Sequence, residues 1–169
     1  MRIIYLNKYK FRSNGSILAL ALLLKISIFL YRKSIQMQKV EHIGIAVKDL
    51  AVSVPLFEKL LNANCYKTEI VENEKVKTAF FQQGETKIEL LESMTEDGVI
   101  AKFIERKGEG MHHIAFEVND IYKEMSRLSE EGFQLLNEVP KTGADNKLVC
   151  FLHPKTTNGV LIELCQSIK

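Results

Sequence analysis

The chain has 169 residues, which suits a single globular domain with or without a short extension. Its net charge of +2 is unevenly distributed, because residues 1–40 contain eight basic and no acidic side chains, whereas the remainder carries 15 basic and 21 acidic ones. This acidic body excludes a protein that binds nucleic-acid phosphates through a clustered basic face. The three cysteines have no C-x-x-C spacing, which argues against a disulfide framework or a cysteine-type zinc site.

Residues 1–38 form a basic leader. The absence of acidic residues, combined with Ser, Lys, Arg and apolar side chains, predicts a mitochondrial presequence and a mature protein in the mitochondrial matrix. A secretory signal is an alternative, although no small-x-small cleavage site stands out near the end of the apolar run at residues 17–31. A membrane anchor is another, but Lys25 interrupts that run and would be costly inside a bilayer. An incorrectly assigned start is the third.

The body of the chain opens with a strand. Alternating and β-branched residues predict this strand at residues 40–47. Ser53 is expected to cap a helix that has Pro55 in its first turn. The apolar side chains on one face of that helix are Val54, Phe57 and Leu61. Two strands joined by a glycine-containing turn are predicted at residues 76–82 and 86–92.

A second copy of this pattern follows a linking helix. The apolar spacing predicts the linking helix at residues 99–107 and a strand at residues 112–118. Asp120 is expected to cap the next helix, and Gly132 lies where the residue after a helix end favours glycine. The apolar side chains in phase on this second helix are Ile121, Met125 and Leu128.

Three strands are expected to complete each copy. The closing strands of the second copy are predicted at residues 147–153 and 159–165. The strand that directly follows the helix is predicted near residues 65–71 in the first copy and near residues 133–139 in the second. Each copy is therefore a strand, a helix and three strands, which predicts an α+β fold made of two tandem βαβββ modules.

A histidine–glutamate layout occurs once in each copy. His42 is followed 47 residues later by Glu89, and His113 is followed 50 residues later by Glu163. The two glutamates lie inside apolar strands, where a carboxylate is costly to bury without a partner. Two imidazoles and two carboxylates from matched positions would suit one divalent ion such as Zn, Co, Mn, Ni or Fe(II). The repeat therefore predicts two half-sites that face each other across a curved sheet.

Two further histidines require a separate interpretation. His112 precedes His113 on the same strand, so strict alternation points it to the opposite face and makes it a packed or supporting residue. His153 opens the H-P-K-T-T-N-G turn, where either a turn-stabilising or a substrate-facing role fits.

Four segments resemble the vicinal-oxygen-chelate superfamily and, within it, the methylmalonyl-CoA epimerase family. The resemblance extends over residues 40–166 and includes none of the leader. Its most specific part is the stretch F-L-H-P-K-T-T-N-G-V-L-I-E-L-C-Q. The four segments are residues 41–50, 108–121, 134–141 and 151–166.

The resemblance implies the fold, the activity and the ligands. It implies modules at about residues 40–95 and 110–166 in one domain, 39–169, with a curved sheet around a metal site. The metal ligands would be His42, Glu89, His113 and Glu163. They would hold one divalent ion, with Co²⁺ favoured and Mn²⁺, Ni²⁺ or Zn²⁺ as alternatives. The substrate would be an acyl-CoA in propionyl-CoA catabolism, with inversion at C2 of methylmalonyl-CoA by proton removal and return.

The resemblance also implies catalytic and binding roles. The catalytic carboxylates would be those of Glu163 and Glu89, and His153 and Lys155 would contact the substrate. The partners would be the acyl-CoA and a second copy in a homodimer, with no nucleic acid and no stable membrane association. A glyoxalase-like lyase, a dioxygenase of the same fold and a non-catalytic binding module are the alternatives.

The sequence departs from the family pattern at one position. Some bacterial members carry an additional catalytic glutamate where this chain has Thr78. The second base is therefore open among Glu89, Glu72 and a metal-bound water, and Glu89 is expected to act mainly as a ligand.

Overall fold

The computed structural model describes residues 19–27 and 37–168. The chain divides into two compact units, Met1–Ser34 and Ile35–Lys169. In the first unit, residues 19–27 are helical and are named α1. Most of the predicted presequence lies outside the described residues. Among the helices that are described, none has the length and apolar character needed to cross a membrane.

The second unit contains two modules with the predicted order of elements, joined by a linking helix α3 at Val99–Lys107. The first module contains β1 Met37–Ala46, α2 Leu50–Leu61, β2 Lys67–Val71, β3 Val76–Gln83 and β4 Thr86–Ser93. The second contains β5 Gly110–Val118, α4 Ile121–Glu130, β6 Lys141–Gly143, β7 Lys147–Leu152 and β8 Ile162–Ser167. This architecture confirms the α+β prediction of two βαβββ modules.

All eight strands belong to one sheet in the order β2-β3-β4-β1-β5-β8-β7-β6. The first strands of the two modules, β1 and β5, pair antiparallel at the centre. Each also pairs in parallel with the last strand of its own module, β1 with β4 and β5 with β8. This symmetric arrangement places the predicted histidines and glutamates on four adjacent strands.

Helices α2 and α4 cover one face of the sheet. Val54, Phe57 and Leu61 of α2 pack against the buried residues of β3 and β4, as their spacing predicts. In the second module, Ile121, Met125 and Leu128 of α4 pack against β7 and β8. Helix α3 contacts the opposite face, where Ile100 packs beside Ala46 and Leu91. The face that α2 and α4 leave uncovered carries the candidate site.

Both modules cap their helix with an aspartate seven residues after the predicted histidine. Asp120 caps α4 as predicted, with its side chain accepting a hydrogen bond from the Lys123 backbone N–H. Asp49 caps α2 by accepting from the Ala51 N–H, so the prediction that Ser53 is the cap is wrong. The helix begins earlier than the Ser-x-Pro pattern suggests because Asp49 satisfies a free N–H at its start.

The predicted strand at residues 133–139 is also wrong. There the chain forms only one isolated bridge, between Leu135 and Leu152, and regular pairing with β7 begins at β6. The side chain of Asn137 accepts the hydrogen bond of the Phe151 N–H that a neighbouring strand would otherwise accept. Pro140 then offers no N–H to a ladder. These two residues move the strand downstream to Lys141–Gly143.

Candidate metal centre

The four predicted side chains come from the four central strands. Two rows of paired residues cross these strands, and each row places a small residue between a histidine and a glutamate. In one row Gly44 pairs with both Glu89 and His113. In the other, Ala115 pairs with both His42 and Glu163. The duplicated fold thus presents all four groups on the same face, as strand alternation requires.

The four side chains converge at a buried point. The Nε2 atoms of His42 and His113 are 2.9 Å apart. Glu89 Oε2 lies 3.3 Å from His42 Nε2, and Glu163 Oε2 lies 3.2 Å from His113 Nε2. The crossed distances, from His42 to Glu163 and from His113 to Glu89, are both 3.7 Å. All four residues are at most 6% exposed.

Gly44 leaves the space that the His113 ring occupies. A Cβ atom at this position would lie 2.2 Å from Cε1, 2.5 Å from Nδ1 and 2.7 Å from Nε2 of His113. No real Cβ atom tolerates such contacts, so the imidazole lies directly over the Gly44 backbone. The glycine is therefore required by the close approach of the ring.

The buried charges perturb one another. Burial raises the pKa of Glu89 to about 7, and Glu163 and Glu41 add repulsion to that effect. Burial alone would lower the pKa of His42, but Glu163, Glu41 and Glu89 together raise it well above its usual value. Burial, reinforced by the neighbouring His42, lowers the pKa of His113 well below its usual value. A cation at this point would relieve the repulsion between the carboxylates.

The donor set fits a divalent metal ion. His42, His113 and Glu163 can each offer one ligand atom within a small common volume, and Glu89 lies beside them. Imidazole nitrogen with carboxylate oxygen is a donor set typical of Zn, Co, Mn, Ni and Fe(II). A second group, formed by Glu41, His42 and Cys165, is less suitable. Burial raises the pKa of the Cys165 thiol well above its usual value, so that thiol stays protonated.

His112 does not lie on the opposite face, so that prediction is wrong. The β1–β5 register passes from Gly44–His113 directly to Ile45–Met111, which leaves His112 in a β-bulge. The bulge turns its side chain toward the site, and its Nδ1 lies 3.0 Å from Nδ1 of His113. Burial lowers the pKa of His112 to about 4, so the ring is neutral near pH 7.

Sequence reasoning missed a charged cluster beside the site. Glu41 accepts from His42 Nδ1 at 2.6 Å and is contacted by Lys87 and Lys147 at 2.6 and 3.2 Å. Burial opposes ionisation of Glu41, but the bonds from His42 and Lys87 hold its pKa well below its usual range. Strict alternation places Glu41 on the other face, so a period-two pattern cannot reveal it. In the sequence, only the adjacency of Glu41 and His42 indicates this contact.

A cavity of about 240 Å³ opens above the four side chains. Its walls are mainly apolar, with a few polar groups, which is typical of small-molecule sites. Thr78 lines this cavity, fully buried, with its hydroxyl donating to the Glu69 carbonyl at 3.4 Å. Glu74 also lines it, whereas Glu72 is exposed and is not part of the lining.

The two residues predicted to contact the substrate, His153 and Lys155, lie outside the lining of this cavity. His153 begins the short helical turn Pro154–Thr156, and its Nδ1 accepts from the Lys155 N–H at 3.1 Å. Lys155 is exposed, and neither residue belongs to the cavity lining. The observed contact of His153 stabilises the turn.

Comparisons with known proteins show the family of this chain. The family model described as Glyoxalase/Bleomycin resistance protein/Dioxygenase superfamily matches residues 41–151. The chain is 39% identical over 130 residues to the ethylmalonyl-CoA/methylmalonyl-CoA epimerase of Cereibacter sphaeroides, covering 76% of this chain and 97% of that protein. It is 37% identical over 130 residues to the mitochondrial methylmalonyl-CoA epimerase of Homo sapiens, with coverages of 76% and 74%.

A solved structure shows the same likeness. A Streptomyces coelicolor methylmalonyl-CoA epimerase variant in complex with 2-nitronate-propionyl-CoA is 31% identical, with a TM-score of 0.74 and coverages of 78% of this chain and 96% of that one. The paired βαβββ modules and the family match show that the chain belongs to the glyoxalase/bleomycin resistance protein/dioxygenase superfamily. Its extensive identity to the Cereibacter protein assigns it, within that superfamily, to the methylmalonyl-CoA epimerases, which are isomerases.

Proposed function

We propose that the protein is a metal-dependent epimerase that interconverts (2R)- and (2S)-methylmalonyl-CoA. The observation that carries this proposal is the meeting of two buried carboxylates and two imidazoles at the base of one cavity. The acyl-CoA analogue bound to the Streptomyces relative supports the substrate class. The reaction would serve propionyl-CoA catabolism.

The proposed metal ligands are His42, Glu89, His113 and Glu163, with Co²⁺ as the favoured ion and Mn²⁺, Ni²⁺ or Zn²⁺ as alternatives. When bound, such an ion supplies Lewis-acid chemistry that lowers the cost of negative charge on an acyl oxygen. We expect His113→Ala to lose both metal and activity. His112→Ala should retain metal, because His112 reaches the centre only through the His113 ring.

The proposed proton transfers use the two carboxylates. Inversion at C2 requires a proton acceptor on one face and a proton donor on the other. Glu163 and Glu89 come from equivalent strands of the two modules, so pseudo-symmetry offers one to each face. Burial raises the pKa of Glu89 to about 7 in the metal-free centre, and a bound cation would lower it by favouring the carboxylate, the form that can accept a proton.

The other candidates for the second base fit less well. Thr78 faces the cavity, but its hydroxyl is not basic at neutral pH and it donates to the Glu69 carbonyl. Glu72 is exposed and lies outside the cavity lining. We therefore propose Glu89 as both a ligand and the second base, rather than a ligand alone.

The experiment that tests this function is incubation of metal-loaded protein with (2R)-methylmalonyl-CoA in deuterated water. The expected result is deuterium at C2 in both epimers and an approach to an equal mixture. Glu163→Gln is the matched inactive control. If wild-type protein retained the C2 proton with each of the four metals in turn, the proposal would be contradicted.

We also propose that residues 1–38 direct the protein to the mitochondrial matrix. The composition of the leader and the mitochondrial relative from Homo sapiens support this, although a bacterial relative has similar identity. A fluorescent reporter fused to residues 1–38 should enter mitochondria. A reporter that stays in the cytosol or enters the secretory pathway would contradict the proposal.

A further inference from the structure

We infer that Glu41 is a positioning residue for the metal centre, which keeps the Nε2 atom of His42 directed at the ion. This inference rests on the proposed metal-dependent function. Glu41 is 4% exposed and contacts His42, Lys87 and Lys147. Its role would be to fix which ring nitrogen carries the proton.

A β-bulge brings Glu41 to the site. The β1–β5 register passes from Val40–Phe116 to His42–Ala115, so two residues of β1 advance while β5 advances by one. Glu41 is the unpaired residue, and its side chain lies with that of His42 on the face of the sheet that carries the candidate site. Bulges beside active sites commonly redirect a side chain in this way.

The hydrogen bond to Glu41 defines the tautomer of His42. A neutral imidazole carries one proton, and a carboxylate can only accept. The 2.6 Å contact between His42 Nδ1 and Glu41 Oε2 therefore places that proton on Nδ1. When an ion is bound, His42 would give up the Nε2 proton and keep the Nδ1 proton, which leaves the Nε2 lone pair for the ion on the side that faces His113 and Glu89. A carboxylate partner also raises the basicity of a metal-bound imidazole.

Two lysines from different modules hold the carboxylate in place. Lys87 of β4 contacts Glu41 Oε1 at 2.6 Å, and Lys147 of β7 contacts the same oxygen at 3.2 Å. Lys147 is itself held by a 3.0 Å bond to the Ser167 hydroxyl. The position of Glu41, and through it the orientation of His42, therefore depends on both halves of the sheet.

The two modules use different partners at this position. His112 occupies the bulge in front of His113, as Glu41 occupies the bulge in front of His42. The partner of His113 is thus an imidazole at 3.0 Å, while that of His42 is a carboxylate. This asymmetry predicts that loss of Glu41 weakens metal binding more than loss of His112.

The test is the Co²⁺ affinity of the purified full chain without substrate, measured by competition with a chromophoric chelator. Loss of such a partner typically reduces metal affinity by about 10–100-fold, and we expect this reduction for Glu41→Ala. Glu41→Gln retains an oxygen that can accept from Nδ1 and should bind Co²⁺ within a few-fold of wild type. Glu117→Ala removes another strand carboxylate, one that contacts Lys39, and serves as the matched control.

A second measurement covers the case in which Glu41→Ala does not fold. In wild-type protein loaded with diamagnetic Zn²⁺, the ¹⁵N spectrum of His42 should show a protonated Nδ1 and a metal-bound Nε2. A protonated Nε2, wild-type Co²⁺ affinity in Glu41→Ala, or no divalent binding by wild type would overturn the inference. Normal Zn²⁺ spectra without C2 exchange would overturn the proposed epimerase function alone.

Discussion

Replacement of Gly44 by alanine should displace the His113 ring. The new Cβ would lie 2.2 Å from His113 Cε1, whereas ordinary contact begins at 3.4 Å, so the ring would have to recede by more than 1 Å. The rings of His42, His112 and Phe151 surround it, with centroids 5.0, 5.3 and 5.7 Å away. These three neighbours restrict the directions in which the ring can move without leaving the metal centre.

The expected magnitudes follow from this clash. Overpacking a well-filled site costs about 1–3 kcal/mol of unfolding free energy. Metal–imidazole bonds are about 2.0–2.1 Å long for zinc, so a displacement of about 1 Å removes His113 as a ligand. We expect Gly44→Ala to weaken Co²⁺ binding by at least about 100-fold, which exceeds the loss of affinity usually caused by removing a hydrogen-bond partner of a metal ligand.

The assay is chelator competition combined with urea unfolding of metal-free protein. Gly84→Ala is a suitable control because no atom lies within 4 Å of the added Cβ, although its φ of +59° carries some strain. In a His113→Ala background the clash disappears, so Gly44→Ala should cost little further stability. Normal metal binding by Gly44→Ala, or equal destabilisation in both backgrounds, would refute the reasoning.

Three further predictions concern carboxylates and thiols. At saturating metal, Glu163→Gln and Glu89→Gln should each lose about 10²–10⁴-fold in epimerisation rate; near-normal turnover of Glu89→Gln with metal retained would exclude Glu89 as a base. Because burial raises the pKa of Glu89 to about 7, its proton must leave before metal binds, so Co²⁺ affinity should rise from pH 6 to 8. Calorimetry should show that the affinity of Glu89→Gln rises less steeply with pH. The same pH dependence in wild type and Glu89→Gln would contradict this prediction. Burial raises the pKa of the Cys150 thiol to about 11, so iodoacetamide at pH 8 should modify Cys65 but neither Cys150 nor the buried Cys165. Mass spectrometry of native protein measures this order, and labelling of Cys150 before Cys65 would contradict the prediction.

Much of the fold could be predicted because its apolar periodicity is strong. The linking helix at Val99–Lys107 has the predicted bounds, and the paired strands of the first module end within one residue of prediction. The convergence of the two histidines and the two glutamates could be expected because the repeat places equivalent residues on the four central strands. No local pattern was needed beyond the matched intervals.

The failures have local backbone causes. Glu41 and His112 reach the site through β-bulges, and a single extra residue reverses the face that alternation assigns. The strand expected at residues 133–139 is shifted because Asn137 replaces a ladder acceptor. These features depend on pairing with a strand that is distant in the sequence, so the local sequence does not predict them.

The most direct test of the central claim is the rate of deuterium exchange at C2 of methylmalonyl-CoA as metal-free protein is titrated with Co²⁺. Two half-sites that share one ion predict negligible exchange without metal and a linear rise that saturates at one equivalent per chain. Full exchange in the metal-free protein, or saturation at two equivalents per chain, would contradict a single centre built jointly by the two modules.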